Sequence, residues 1–89
     1  MKIPRQIRGF GFIYPVIQRK NHKWLGTINH RKGFIILDKS AHHNRKESSL
    51  IHELIHFVNA QYILKLNEHK VDLLETGLYT LLKENKLLR

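Results

Sequence analysis

The apolar periodicity of this chain changes once, after Lys39, and that change limits the fold more than any other feature. Upstream of it, short aromatic and β-branched runs are separated by turn residues, which is the patterning of strands. Phe10 to Ile17 reads as one strand, assigned to a sheet edge because Pro15 has no N–H to give to a ladder. Asn21-His22 has turn character, and Lys23 to Asn29 reads as a second strand. His30 to Gly33 reads as a turn and Phe34 to Asp38 as a short third strand. Downstream, Leu50, Ile51, Leu54, Ile55, Phe57 and Val58 recur at helical spacing, so a helix is expected from Asn44 or Arg45 to about Tyr62. Leu64-Lys65-Leu66 is a connector. Asn67 is a good N-cap, and Glu68 in the first turn suits the helix dipole. Val71, Leu74, Leu78, Leu81 and Leu82 give a second helix its apolar stripe, with fraying near Asn85. The expected fold class is α+β: a three-stranded antiparallel sheet followed by a helical hairpin. We expect one domain over residues 1–89, with a basic sheet region at 1–39 and the hairpin at 44–85.

A chain of 89 residues has a small core, and chains of this size lean on a disulfide, a metal or a partner. The absence of cysteine excludes disulfides, Cys-type zinc fingers and iron–sulfur clusters. Apolar runs are too short for a transmembrane helix. The basic N-terminal residues are not followed by the apolar core of a secretory signal, so a cytoplasmic location is expected. The net charge is +9, and it is unevenly spread. Residues 1–46 carry eleven basic residues and one acid, Asp38; residues 47–89 carry five basic residues and six acids. A field of that kind attracts nucleic acid, acidic proteins or anionic lipid.

Within the first helix, residues 52–56 read His-Glu-Leu-Ile-His. Histidines at i and i+4 lie one above the other on a helix face, so both imidazoles reach one zinc ion (Zn2+). Glu53, next to the first histidine, is placed to take a proton from a water at the metal. Leu54 and Ile55 are core residues. A hydrolytic zinc site needs a third protein ligand and an open position. No third histidine follows at short spacing, so the ligand is expected to be a carboxylate of the second helix. Glu68, Asp72, Glu75 and Tyr79 form one stripe there. An extended connector brings Glu68 to the metal, whereas a tighter hairpin brings Glu75 level with His56; the order of preference is Glu68, then Glu75, then Asp72. Asp72 is also a candidate to orient a liganding imidazole. Tyr79 ranks first as oxyanion stabiliser, ahead of Tyr62, His42 and His43. The strand Phe34 to Asp38 is a candidate platform for an extended substrate adding by strand pairing.

Ser49 to His56, with Leu66-Asn67-Glu68, Val71, Leu74 and Gly77-Leu78-Tyr79, resembles a known group. It looks like the short HExxH proteins common in bacteriophage genomes, which are similar to the ImmA/IrrE-type, gluzincin-like metallopeptidases. The resemblance covers residues 44–85 well and the strands loosely, through Leu25 to Ile28 and Phe34 to Asp38. Larger members follow HExxH with a Glu-x-x-Ala-Asn-like segment. Glu68-His69-Lys70-Val71-Asp72 matches it in the glutamate, with Val for Ala and Asp for Asn. The resemblance implies a minimal zincin-like fold, zinc held by His52, His56 and Glu68, and Glu53 as general base. It also implies a peptide or protein substrate and, for a viral protein, a host-cell cytoplasmic location. The chain is far shorter than the larger members and lacks the DNA-binding domain often fused to them.

Two functions of different kinds follow. One is a zinc-dependent metallopeptidase-like protein. The other is a non-catalytic, zinc-stabilised basic module that binds nucleic acid or an acidic host protein, with Phe10, Phe12, Tyr14, Trp24 and Phe34 as stacking candidates or core residues.

Overall fold

The computed structural model describes residues 1–20 and 25–88. Asn21, His22, Lys23 and Trp24 lie outside the described residues, and with them the expected turn, the start of the second strand and Trp24 as a stacking candidate. The elements are β1 (Gln6–Gly9), β2 (Phe12–Arg19), β3 (Gly26–Asn29), β4 (Phe34–Asp38), α1 (His43–Tyr62) and α2 (Glu68–Glu84). The class is α+β, but the sheet is not a three-stranded antiparallel one. It has four strands in the order β1-β2-β4-β3, and β2 pairs with β4 in parallel.

Two local causes account for the difference. Phe10 and Gly11 both have positive φ, 53° and 80°, which is the two-residue hairpin geometry that matches strand twist. They remove Phe10 and Gly11 from the start of the expected first strand, which becomes β2, and turn the chain back onto an additional strand, β1, with Gly9 opposite Phe12. The second cause is the apolarity of Phe34 to Asp38, in which Ile35, Ile36, Leu37 and Asp38 are all buried. A strand buried on both faces takes an interior place, so β4 inserts between β2 and β3. Pro15 therefore does not mark an edge strand. It lies opposite Gln6 in a pair flanked by the bond from Val16 N–H to Arg5 C=O, so its nitrogen faces away from β1. At this point β2 passes from β1 to β4 as partner.

Tyr14, Ile35, Leu37, Leu50 and Phe57 form the core between the sheet and α1. Gly26 is where β3 meets the helix: a Cβ there would stand 3.1 Å from Leu37 Cδ2 and 3.4 Å from Ser49 Cβ. At the other end of β3, the His30 ring lies 6.2 Å from Phe57. β3 thus runs alongside α1 in the same direction, with its outer edge unpaired among the described residues.

Asn67 caps α2, its side chain accepting from Lys70 N–H. Of the elements, α2 packs against α1 alone. Only Val71 of its apolar stripe is buried, while Leu74, Leu78 and Leu81 are 42–59% exposed. The reason is orientation: α2 turns its acidic stripe toward α1. Among the described residues no helix is long and apolar enough to cross a membrane.

Candidate metal centre

The connector between the helices decides which acidic residues meet the histidines. Ile63 ends α1 in the left-handed conformation, and Lys65 is left-handed too. Asn59 clamps the return from both sides: its Oδ1 accepts from Leu66 N–H at 3.1 Å and its Nδ2 donates to Leu66 C=O at 3.3 Å. Glu68 then begins α2 opposite both histidines.

His52 and His56 present their Nε2 atoms to each other at 3.2 Å, with ring centroids 4.8 Å apart. Glu68 spans them, Oε1 at 2.7 Å from His52 Nε2 and Oε2 at 3.1 Å from His56 Nε2. Two nitrogens on one tetrahedral ion, with bonds of about 2.0–2.1 Å, stand about 3.3 Å apart. The spacing of the imidazoles is that of donors to a shared ion. His52, Glu53 and His56, and likewise His52, Glu68 and Asp72, offer donor atoms all within 4.8 Å of one another.

The other nitrogen of His52 is equally engaged. Nδ1 lies 2.7 Å from Glu75 Oε1 and 3.3 Å from Asp72 Oδ1. A carboxylate only accepts, so Nδ1 carries a proton toward Glu75, and Nε2 would be the nitrogen that gives up its proton to bind a metal. Glu75 is in turn held by the Ser48 hydroxyl, which donates to its Oε2. Glu75, closer than Asp72, is thus the residue that orients His52. Ser48 was missed at the sequence level; its place four residues before His52 is the signal that could have found it.

Electrostatics follow from this crowding. Burial works against a charged His52, but the hydrogen bond to Glu75 and the charges of Glu53, Glu68 and Glu75 outweigh it and raise its pKa. Glu53 is 4% exposed. Burial holds its carboxyl up at about 7, Glu68 and Glu75 adding to the effect and His52 opposing it. Four carboxylates and two imidazoles meet here, and among the described residues no lysine or arginine pairs with them. The group fits a divalent cation: hard and borderline donors, surplus negative charge and a paired second nitrogen.

The structure does not bring Tyr79 to the histidines. Its hydroxyl donates to Glu47 Oε1 at 3.0 Å. Glu47 is inaccessible to solvent and also meets the Met1 amino group at 2.6 Å and Lys83 Nζ at 3.2 Å. Burial pushes Glu47 up, yet these three donors prevail and hold it at about 2. Burial and Glu47 together raise the pKa of Tyr79. The other oxyanion candidates are placed elsewhere as well. His43 Nε2 is 2.7 Å from Met1 C=O, Tyr62 packs edge-on to Phe10, and His42 is the N-cap of α1.

A cleft of about 230 Å³ opens beside His52 and Glu53, walled by Leu25 and Gly26 on one side and Asp72 and Glu75 on the other. Against known proteins, the chain matches no family model, and no curated protein or solved structure is significantly similar to it.

Proposed function

We propose that this protein is a zinc-dependent peptidase-like hydrolase, with His52, His56 and Glu68 as ligands and Glu53 as general base. The observation that carries the reading is the convergence of both Nε2 atoms and the Glu68 carboxylate beside a buried glutamate and an open cleft. A zinc ion bound there supplies a Lewis acid that polarises a carbonyl and acidifies a water. The chain's own residues do the rest. Glu75 and Ser48 hold the His52 ring in one orientation. Glu53 accepts a proton from the water as its oxygen adds to the peptide carbonyl carbon. The same proton passes to the nitrogen as the C–N bond breaks, yielding an acid and an amine. In the metal-free protein burial holds this carboxyl up at about 7, and a bound cation would favour its ionised form, the form that accepts the proton.

The strand offered to an extended substrate is β3 rather than β4. β4 is paired on both sides, by β2 and β3, and has no ladder positions left. The outer edge of β3 flanks the cleft at Gly26.

The test is metal content by elemental analysis of wild type and Glu68→Ala. About one zinc per chain, lost in the variant, supports the three-ligand site. Zinc retained moves the third ligand to Glu75 or Asp72, and none in zinc-supplied wild type sinks the reading.

A second reading, a zinc-stabilised basic module for nucleic acid, draws on Phe10 and Phe12. These rings are 49% and 47% exposed at a hairpin near Arg8, although both also pack against Phe57. A steep fall of DNA binding with salt would favour it.

A further inference from the structure

The cleft beside His52 is one half of a longer groove. A second hollow of about 290 Å³ adjoins it and shares Leu25, Ser49 and Glu75 as walls. Asn44, Arg45, Ser48 and Tyr79 close its far end. Ser48 gives its proton to Glu75 and Tyr79 gives its own to Glu47, so these hydroxyl protons are spent. Arg45 is different: it is exposed, lines the hollow and has no ion pair among the described residues. It lies seven residues before His52, two turns back on the same face of α1, or about 10 Å along the axis. An extended peptide covers that distance in about three residues.

Charge is divided along the groove: carboxylates gather at its His52 end, and among the described residues Arg45 is the only lysine or arginine lining the far hollow. Of seven acidic residues, Asp38 is buried beside Ser40, Glu47 is buried beside two cations, Glu53 is buried, Glu68, Asp72 and Glu75 face His52, and Glu84 alone is exposed away from these groups, at the end of α2. Sixteen lysines and arginines stand against them, and the net field is strongly positive. Direction comes from β3, which runs with α1. A peptide paired antiparallel to β3 runs from the His56 end toward Arg45, so its C-terminal part occupies the second hollow.

We propose that the far end of this groove selects peptides with a carboxylate there, which Arg45 anchors about three residues to the C-terminal side of the bond at the metal site. The proposal rests on the peptidase-like reading for its register. Arg45 supplies a planar fork of donors that matches a carboxylate in two parallel hydrogen bonds. The carboxylate is that of an Asp or Glu side chain, or of a chain end at that position.

The test uses the zinc-loaded 89-residue chain and four fluorescently labelled peptides: three amidated decapeptides that differ at one position, which carries Glu, Gln or Lys, and a fourth cut short there to end in a free carboxylate. Binding is read by fluorescence anisotropy on Glu53→Gln, and cleavage on wild type by mass spectrometry. We expect the Glu peptide to bind about fivefold tighter than the Gln peptide at low salt. That ratio falls toward one in Arg45→Gln, and Arg45→Glu shifts the preference to the Lys peptide. Preference for the free chain end over Glu assigns the anchor to a terminus. Equal binding and cleavage of all four peptides overturns the anchor and leaves the peptidase reading standing. An Arg45-dependent preference in binding without cleavage does the reverse. A labelled single-stranded oligonucleotide that binds through Arg45, with no peptide bound, assigns the groove to nucleic acid and overturns the proposal.

Discussion

Two carboxylate clusters sit one above the other between α1 and α2, and they are built on opposite principles. Around Glu47 the protein supplies its own partners: two cations, the Met1 amino group and Lys83, and the Tyr79 hydroxyl as a neutral donor surround a single buried carboxylate. Around His52 it supplies the reverse, with Glu53, Glu68, Asp72 and Glu75 gathered on two imidazoles. The first cluster is complete in itself. The second carries more negative charge than its partners balance, at a cost in the free protein that a divalent cation removes. One closes a helix pair, and the other keeps it open to chemistry.

The largest effect expected from breaking this contrast is on metal content. His56→Ala should fall from about one ion per chain to none by elemental analysis, whereas Lys83→Ala should keep its ion. Next comes the reaction itself. Glu53→Gln should lose at least about tenfold in peptide hydrolysis with metal content unchanged, and equal activity in that variant would end the general-base role. A smaller change is expected behind the ligand. Glu75→Gln or Ser48→Ala should weaken metal affinity about tenfold in a chelator competition, with Asp72→Asn affecting it less.

The smallest effect is in acid, and it distinguishes the clusters by sign. The folded pKa of Glu47, about 2, lies below its ordinary 4.5. Its stabilising contribution is therefore present above about pH 4.5 and is lost as pH falls toward 2. Because its partners Met1 and Lys83 are partly exposed and screened by salt, this is about 1 kcal/mol in urea melts, and Glu47→Gln should flatten that part of the profile. Glu53 works the other way in the metal-free protein. Its folded pKa of about 7 favours the fold below pH 4.5 and loses that advantage as pH rises through 7. Added metal should reduce this second dependence and leave the first unchanged.

The helices were legible because their signals are local. Six apolar residues at helical spacing placed α1, and Asn67 placed the start of α2 within one residue. The sheet was not, because the place of β4 depends on its burial against α1, which pairwise strand patterning does not contain. The Phe10–Gly11 turn did leave a mark, glycines on both sides of Phe10, within a run otherwise rich in strand formers. At the site, the motif and the acidic stripe were visible, and a stripe fixes which residues share a face. It does not fix their level against α1. That level is set by Asn59 gripping Leu66, a contact across the connector. Tyr79 lies on the right stripe but is taken by Glu47, which drew no attention because a lone glutamate on an amphipathic helix is usually solvated.

The attachment of α2 to α1 alone has a consequence for how this protein comes apart. With little of its leucine stripe buried, α2 is expected to open as a separate cooperative unit without involving the sheet. Residues of both helices would hold an ion at the proposed site, so the ion would act as a clasp, and binding it and docking α2 would become one thermodynamic event. Chelation should then speed amide hydrogen exchange across residues 68–84 well before it touches Ile35 or Leu37. Part of any metal affinity measured for this chain would then be the free energy of seating that helix.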